Sequence, residues 1–330
     1  MIKVTHFHRR PRPLGNFSIE SYFEGIRTLA PADISITKFT SRYFSNGVIK
    51  RIYNIVEAFF HQSDINHITG DVHFLTVLMA KKKTILTIHD CGLLKGLKGL
   101  KYWLTKLFWF TLPVSHAAIV TVNSEYTKQD LLTYVDKHPD QIKVIHIFIK
   151  DHFRSFPKNF NAIKPVILQI GTAANKNLLR VIPALEGIPC TFNILGKINE
   201  EVKTMLSTHR IDFTVIDRAI TDLELLDLYK ESDILCFVST LEGFGMPIIE
   251  ANAVGRVVLT SNVTSMPEIA ADAAHLVDPY DIQSIKTGFL KLIQDESYRK
   301  LLIENGYRNI KRFDKKVIAN QYFDLYRGLS

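Results

Sequence analysis

Short runs of alternating apolar and polar residues recur along this chain, most of them followed by a stretch with helical spacing. Ile2 to Phe7 alternates as a strand does; Ser18 to Leu29 follows with Ile19, Phe23 and Ile26 on one helical face and Ser18 placed as N-cap. The pattern then predicts a strand over 34–39, a helix over 48–60, a strand over 65–69, a helix near 74–80, strands over 84–89 and 118–122, and a helix capped by Ser124. Asp151 to Lys164 has no period and reads as a linker. Beyond it, strands are expected at 165–170, 191–195, 213–216, 234–238 and 257–259, and Ser297 to Tyr326 reads as two terminal helices with Asp314 capping the last. Strand and helix in alternation predict parallel sheets covered on both faces. The expected fold is therefore α/β, two doubly wound Rossmann-like domains facing a central cleft, with boundaries at 1–156 and 157–313 and a C-terminal helix over 314–330.

Ligands of such sheets bind beyond the C-terminal ends of the strands. His67, Thr69, Gly70, Asp71 and His73 sit at one such end, His89 and Asp90 at the next. A lone histidine there is more often structural than functional; two adjacent ends carrying His and Asp favour function. The loop H-R-R-P-R-P-L-G-N-F after the first strand holds Gly15 but lacks G-x-G-x-x-G and an acid to take a ribose, which argues against a dinucleotide site. For Arg9, Arg10 and Arg12 a solvated loop and an acceptor site both stay open.

The second half carries the strongest motif, S-T-L-E-G-F-G-M-P-I-I-E-A-N-A-V-G from Ser239 to Gly255. It follows an apolar strand and runs into a helix whose first turn includes Pro247. Gly243 and Gly245 let the backbone approach a ligand, and the free amides of the helix start favour an anion. Glu242 and Glu250 bracket that site. Carboxylates repel phosphate, so their partners are hydroxyl pairs, and a ligand with a diol on each side of a diphosphate is a nucleotide sugar. The plainer alternative is a glutamate at a helix N-terminus with ordinary capping value. In G-T-A-A-N-K-N-L-L, Lys176 falls in the expected first turn of a helix, where the dipole disfavours a cation, so an anionic ligand is its expected purpose.

With 330 residues, 46% hydrophobic and 22% charged, the chain has the composition of a soluble globular protein of two domains. Cys91, Cys190 and Cys236 lie far apart without metal-ligand spacing, which points to a reducing compartment. The first residues lack the apolar core of a signal peptide, and no run approaches the length of a membrane span. A cytoplasmic protein is expected. Of the net charge of +8, residues 1–150 carry +9 (20 Lys and Arg against 11 Asp and Glu) and the remainder −1. No nucleic-acid motif accompanies that basicity, which leaves an anionic acceptor or an anionic membrane surface on the inner face of the cytoplasmic membrane. Lys95 to Pro113 spaces lysines among Trp103, Phe108 and Trp109, as an interfacial helix does and as a core helix with a wet lysine face also does.

S-T-L-E-G-F-G-M-P-I-I-E, the later S-M-P-E-I-A and A-A-H-L-V-D-P segments and the N-K-N-L helix start resemble the retaining GT-B glycosyltransferases of family 4 over most of 165–326, and I-H-D and N-S-E-Y-T-K extend a looser likeness over 1–150. The resemblance implies the GT-B fold and a nucleoside diphosphate sugar donor, of UDP or GDP type, with a C-terminal helix that crosses back onto the first domain. It implies that Glu242 contacts donor-sugar hydroxyls and Glu250 the ribose. The amides of Gly243, Phe244, Gly245 and Met246 would face sugar and diphosphate, with Ile249 and Thr172 also at the donor, Lys176 on the diphosphate, His89 at the sugar and Gly15 near acceptor and phosphate. Two positions depart from the family: Thr172 stands where an arginine is common, and Gly15 is a single glycine where many relatives have two. An arginine of the 9–12 loop is then expected to supply the missing charge.

The reaction implied is transfer of a hexose to a hydroxyl of a glycan or polyprenyl-diphosphate-linked acceptor with retention, in surface polysaccharide or lipopolysaccharide synthesis. No cofactor is expected, and no metal, since the chain has no Asp-x-Asp and Lys176 with the helix amides supplies the positive charge. The competing readings are a GT-B epimerase or phosphorylase, a catalytically silent binding partner of another transferase, and a nucleotide dehydrogenase, which the missing glycine fingerprint disfavours.

Overall fold

The computed structural model describes residues 1–11 and 18–330; Arg12, Gly15 and the side chain of Ser18 lie outside the described residues. Among the described residues, twelve strands form two six-stranded, wholly parallel sheets. β1 (Ile2–His8), β2 (Ile34–Thr40), β3 (Ile65–Ile68), β4 (Thr84–Ile88), β5 (Ile119–Val122) and β6 (Ile142–Val144) assemble in the order β2-β1-β3-β4-β5-β6. β7 (Val166–Ile170), β8 (Thr191–Leu195), β9 (Asp212–Ile216), β10 (Ile234–Phe237), β11 (Val257–Ser261) and β12 (His275–Val277) assemble in the order β12-β11-β10-β7-β8-β9. Central strands such as β4 and β10 are buried at every residue, because helices cover both faces of a parallel sheet.

The chain divides into two compact units, Met1–Phe148 with Lys315–Ser330, and Ile149–Asp314. Residues 149–156, expected with the first domain, are held in the second: Phe156 donates its amide to Val254 O at 3.3 Å, and Arg256 reaches Phe156 O at 2.9 Å. The helix Lys315–Leu329 belongs to the first unit. It buries Ile318, Ala319, Tyr322, Phe323 and Tyr326 against β1 and the helix Ser18–Arg27.

Three local expectations change. The segment near 74–80 is a 3-10 turn, His73–Leu78, because Met79 and Ala80 extend toward β4 and leave no room for a full helix. Lys95–Pro113 is not one helix: Gly96 and Gly99 take positive φ (84° and 57°), so helix begins only at Gly99, runs to Lys106, widens into a π turn over Leu107–Thr111 and ends at Ser115. Lys176 precedes its helix rather than opening it, because Asn177 takes a left-handed φ of 62° and the α-helix starts at Leu178. Ser124 caps its helix as expected, accepting the amide of Thr127.

Candidate functional site

In the second unit the motif loop leaves β10 and enters the helix Met246–Val254 through Gly245, whose φ of 116° suits only glycine, with Pro247 in the first turn. A Cβ on Gly245 would meet Ile248 Cδ1 at 3.1 Å. The rest of this helix is buried from Ile248 onward, the polar Glu250 and Asn252 included. Ile249 is therefore enclosed, with no exposed side chain to offer a donor, and Phe244 is buried edge-on against Phe313 at 5.8 Å. Met246, in the first helical turn, keeps part of its surface exposed. Ser265, which sequence reasoning passed over, fixes the loop by donating to Phe244 O at 2.7 Å and Glu242 O at 3.1 Å.

Glu242 and Lys176 form an ion pair at 2.6 Å with 16% and 18% of their side chains exposed. The ammonium also lies 4.5 Å from the ring centre of Phe237. Gly171, with φ of 84°, makes room for it: a Cβ there would stand 3.1 Å from Lys176 Cε. Asn175 ties the two loops together by donating to Leu241 O at 2.8 Å and Glu242 Oε1 at 3.2 Å. Its signal was present in N-K-N but was read only as a helix start. Thr172 does not point freely into a site; its hydroxyl donates to Lys197 O at 2.6 Å.

Glu250 is 7% exposed, and its Oε2 accepts the hydroxyl of Tyr229 at 2.8 Å. Burial pushes its carboxyl up to about 7, opposed in smaller measure by the Tyr229 hydrogen bond and by Lys150. Tyr229 itself is fully buried and carries no motif-like spacing to Glu250, so only the fold reveals the pair.

In the first unit, His89 follows β4 and donates from Nε2 to Thr69 O at 2.9 Å, because a carbonyl oxygen only accepts. Gly70 (φ 124°) underlies the ring, where a Cβ would come within 2.6 Å. Of the other strand-end residues, His67 turns into the core onto Tyr326 and Thr87, and Thr69 bonds Phe7 O and His8. His73 is buried against Trp109 O. Arg9 does not supply free charge for a diphosphate, since it is bound by Glu20 at 2.8 Å and by Asp71. Arg10 is exposed and donates to Arg42 O at 2.7 Å. His89, Asp90, Arg9 and Arg10 share the wall of a cavity of about 1380 Å³.

Residues 151–309 match the family model described as glycosyl transferases group 1, and residues 5–152 match glycosyltransferase family 4. The chain is 36% identical over 110 residues to the O-antigen chain mannosyltransferase B of Escherichia coli, covering 33% of this chain and 29% of that protein. It is 27% identical over 221 residues to the MMP alpha-(1->4)-mannosyltransferase of Mycolicibacterium hassiacum, covering 63% of this chain and 53% of that protein. The aligned regions thus span about half or less of these relatives. In fold, the chain is similar to the Anabaena HepE protein crystallised with UDP and glucose, with a TM-score of 0.78 at 16% identity over 99% of this chain and 100% of that one. Two family models in tandem over 5–309 and two parallel Rossmann-like domains of this likeness agree: the chain belongs to the GT-B glycosyltransferases of group 1 and family 4.

Proposed function

We propose that this glycosyltransferase moves a hexose from a nucleoside diphosphate sugar to a hydroxyl of a glycan or lipid-linked acceptor, with retention at the anomeric carbon, in the synthesis of a bacterial surface polysaccharide or lipopolysaccharide. The observation that carries the reading is the Lys176–Glu242 pair beside the glycine-capped start of the helix that bears buried Glu250. A cation, an anion-favouring helix start and two carboxylates in one unit fit the diphosphate and hydroxyls of such a donor. The names of the relatives suggest mannose, and HepE's ligands suggest a uridine nucleotide as the alternative.

In this reading the diphosphate takes Lys176, and Glu242 turns to the sugar hydroxyls. The bond between the anomeric carbon and the β-phosphate oxygen breaks, the acceptor oxygen bonds that carbon from the same face, and the acceptor proton passes to the departing phosphate oxygen. Lys176 and the helix amides stabilise the charge that grows on the leaving group. His89 accepts a sugar hydroxyl through Nδ1. No metal takes part. The enzyme works in the cytoplasm against the inner face of the cytoplasmic membrane; Leu100, Trp103 and Phe108 are exposed (74%, 62% and 52%) among lysines, and no helix of the described residues is long and apolar enough to cross a membrane.

Incubation with GDP-mannose and with UDP-glucose tests the reading. Slow release of hexose and nucleoside diphosphate from one donor, undiminished in EDTA and with the donor's anomeric configuration in the first-formed hexose by NMR, is expected. Release of the opposite anomer, or of no hexose from any nucleotide sugar, overturns it.

A further inference from the structure

The cavity of the first unit is larger than the roughly 300–1,000 Å³ of ordinary small-molecule sites. Most of its wall is hydrocarbon: Val48, Ile52, Val77, Leu93, Leu104 and Phe108 line it and are all at least 38% exposed. The aliphatic part of that wall offers no partner to the hydroxyls of a sugar chain. The same wall carries Arg9, Arg10 and Arg51 against Asp71 and Asp90. Arg9 is neutralised by Glu20 and Asp71, and Asp90 is folded onto the amide of Gly92 at 2.8 Å.

Arg10 and Arg51 differ from Arg9. Among the described residues neither is paired with a carboxylate; each donates to one backbone oxygen, Arg42 O and Ser45 O, and lies over an aromatic ring, Phe44 at 4.9 Å and Trp109 at 4.6 Å. Two guanidinium groups with unspent donors therefore border an apolar chamber whose wall also includes His89. The helices Val48–Phe59 and Gly99–Lys106, which supply part of that wall, also expose Ile49 (84%), Leu100 (74%) and Trp103 (62%) beside Lys98, Lys101 and Lys106.

The geometry points to an amphiphile as the acceptor: a hydrocarbon chain of isoprenoid or acyl type enters this cavity, and the phosphate that joins it to the glycan is bound by Arg10 and Arg51. This assignment rests on the transferase reading and names the acceptor's chemical class. The apolar wall recognises the chain, the arginine pair recognises the phosphate, and the shared wall at His89 brings the attached sugar to the catalytic strand end.

Calorimetric titration of the full chain below micellar concentrations tests it, with farnesyl phosphate, geranyl phosphate, farnesol and inorganic phosphate as probes. Each buried methylene strengthens binding about four-fold, so farnesyl phosphate should bind more than ten-fold tighter than geranyl phosphate, and inorganic phosphate should give no measurable heat. Loss of a charge-assisted bond in Arg51→Gln or in Arg10→Gln should weaken farnesyl phosphate about ten-fold or more and farnesol little. Arg51→Gln should leave the thermal stabilisation by a nucleoside diphosphate unchanged, which also shows that the variant is folded. Farnesyl phosphate that binds no tighter than inorganic phosphate, or equally well to both variants, overturns the assignment. If nucleoside diphosphate still stabilises the protein in that case, the transferase reading stands without it; if no nucleotide stabilises the unaltered protein, both fall.

Discussion

Lys176 is paired with Glu242, and in the proposed reaction the donor's diphosphate takes the place of that carboxylate. Lys176→Ala should lower kcat/KM about 100-fold to 1000-fold, as removal of a preorganised donor to developing charge does. Glu242→Gln separates the two partners. It should tighten free nucleoside diphosphate roughly ten-fold by releasing the ammonium, yet slow transfer, a split that calorimetry and initial rates read directly. Glu250 gives a pH signature. In the proposed role its carboxylate accepts ribose hydroxyls, and accepts them more strongly than the carboxylic acid does; burial sets its midpoint at about 7, so nucleotide affinity should fall as pH drops below that value. Tyr229→Phe removes a hydrogen bond that favours the ionised form and should move the midpoint upward. An affinity independent of pH between 6 and 8 (values spanning the midpoint of about 7) contradicts this role.

Among the secondary-structure elements, the helix Lys315–Leu329 is fastened through a polar network as much as through its apolar face. The Tyr326 hydroxyl meets His6 Nε2 at 2.9 Å and His67 Nδ1 at 2.7 Å, and His67 continues to Thr87. Tyr326→Phe strands both imidazole nitrogens and should cost about 1–3 kcal/mol in urea unfolding. Burial holds His8 and His67 down to about 3 and His6 well below its ordinary value. Below the ordinary histidine value of about 6.5 the unfolded chain binds protons that the folded chain refuses. Stability should therefore be full above that pH and decline as pH falls toward 3; a flat profile over this window contradicts the network. Here the sequence was legible only in part. Alternation showed β1 and β3, but a strand buried on both faces hides which of its residues meet a helix from the far end of the chain, so His67 read as a site residue. Asn177 likewise moved the helix start because a left-handed residue leaves no mark in hydrophobic spacing.

For the whole molecule, periodicity sufficed for two doubly wound domains, because ten of the strands are long or apolar enough to stand out; β6 and β12, three residues each, were not. The loop and helix start after β10 were readable because glycine, proline and carboxylate each have a local physical meaning at Gly245, Pro247 and Glu242. Asn175, Ser265 and Tyr229 were not readable, since their partners lie 66, 21 and 21 residues away. Thermal unfolding against UDP, GDP, ADP, CMP and NAD tests the proposed nucleoside diphosphate sugar donor most directly. Stabilisation by one nucleoside diphosphate, about 2.7 kcal/mol at 100 times its dissociation constant and reduced in Lys176→Ala, is the predicted result. Stabilisation by NAD alone, or by none of the five, contradicts it.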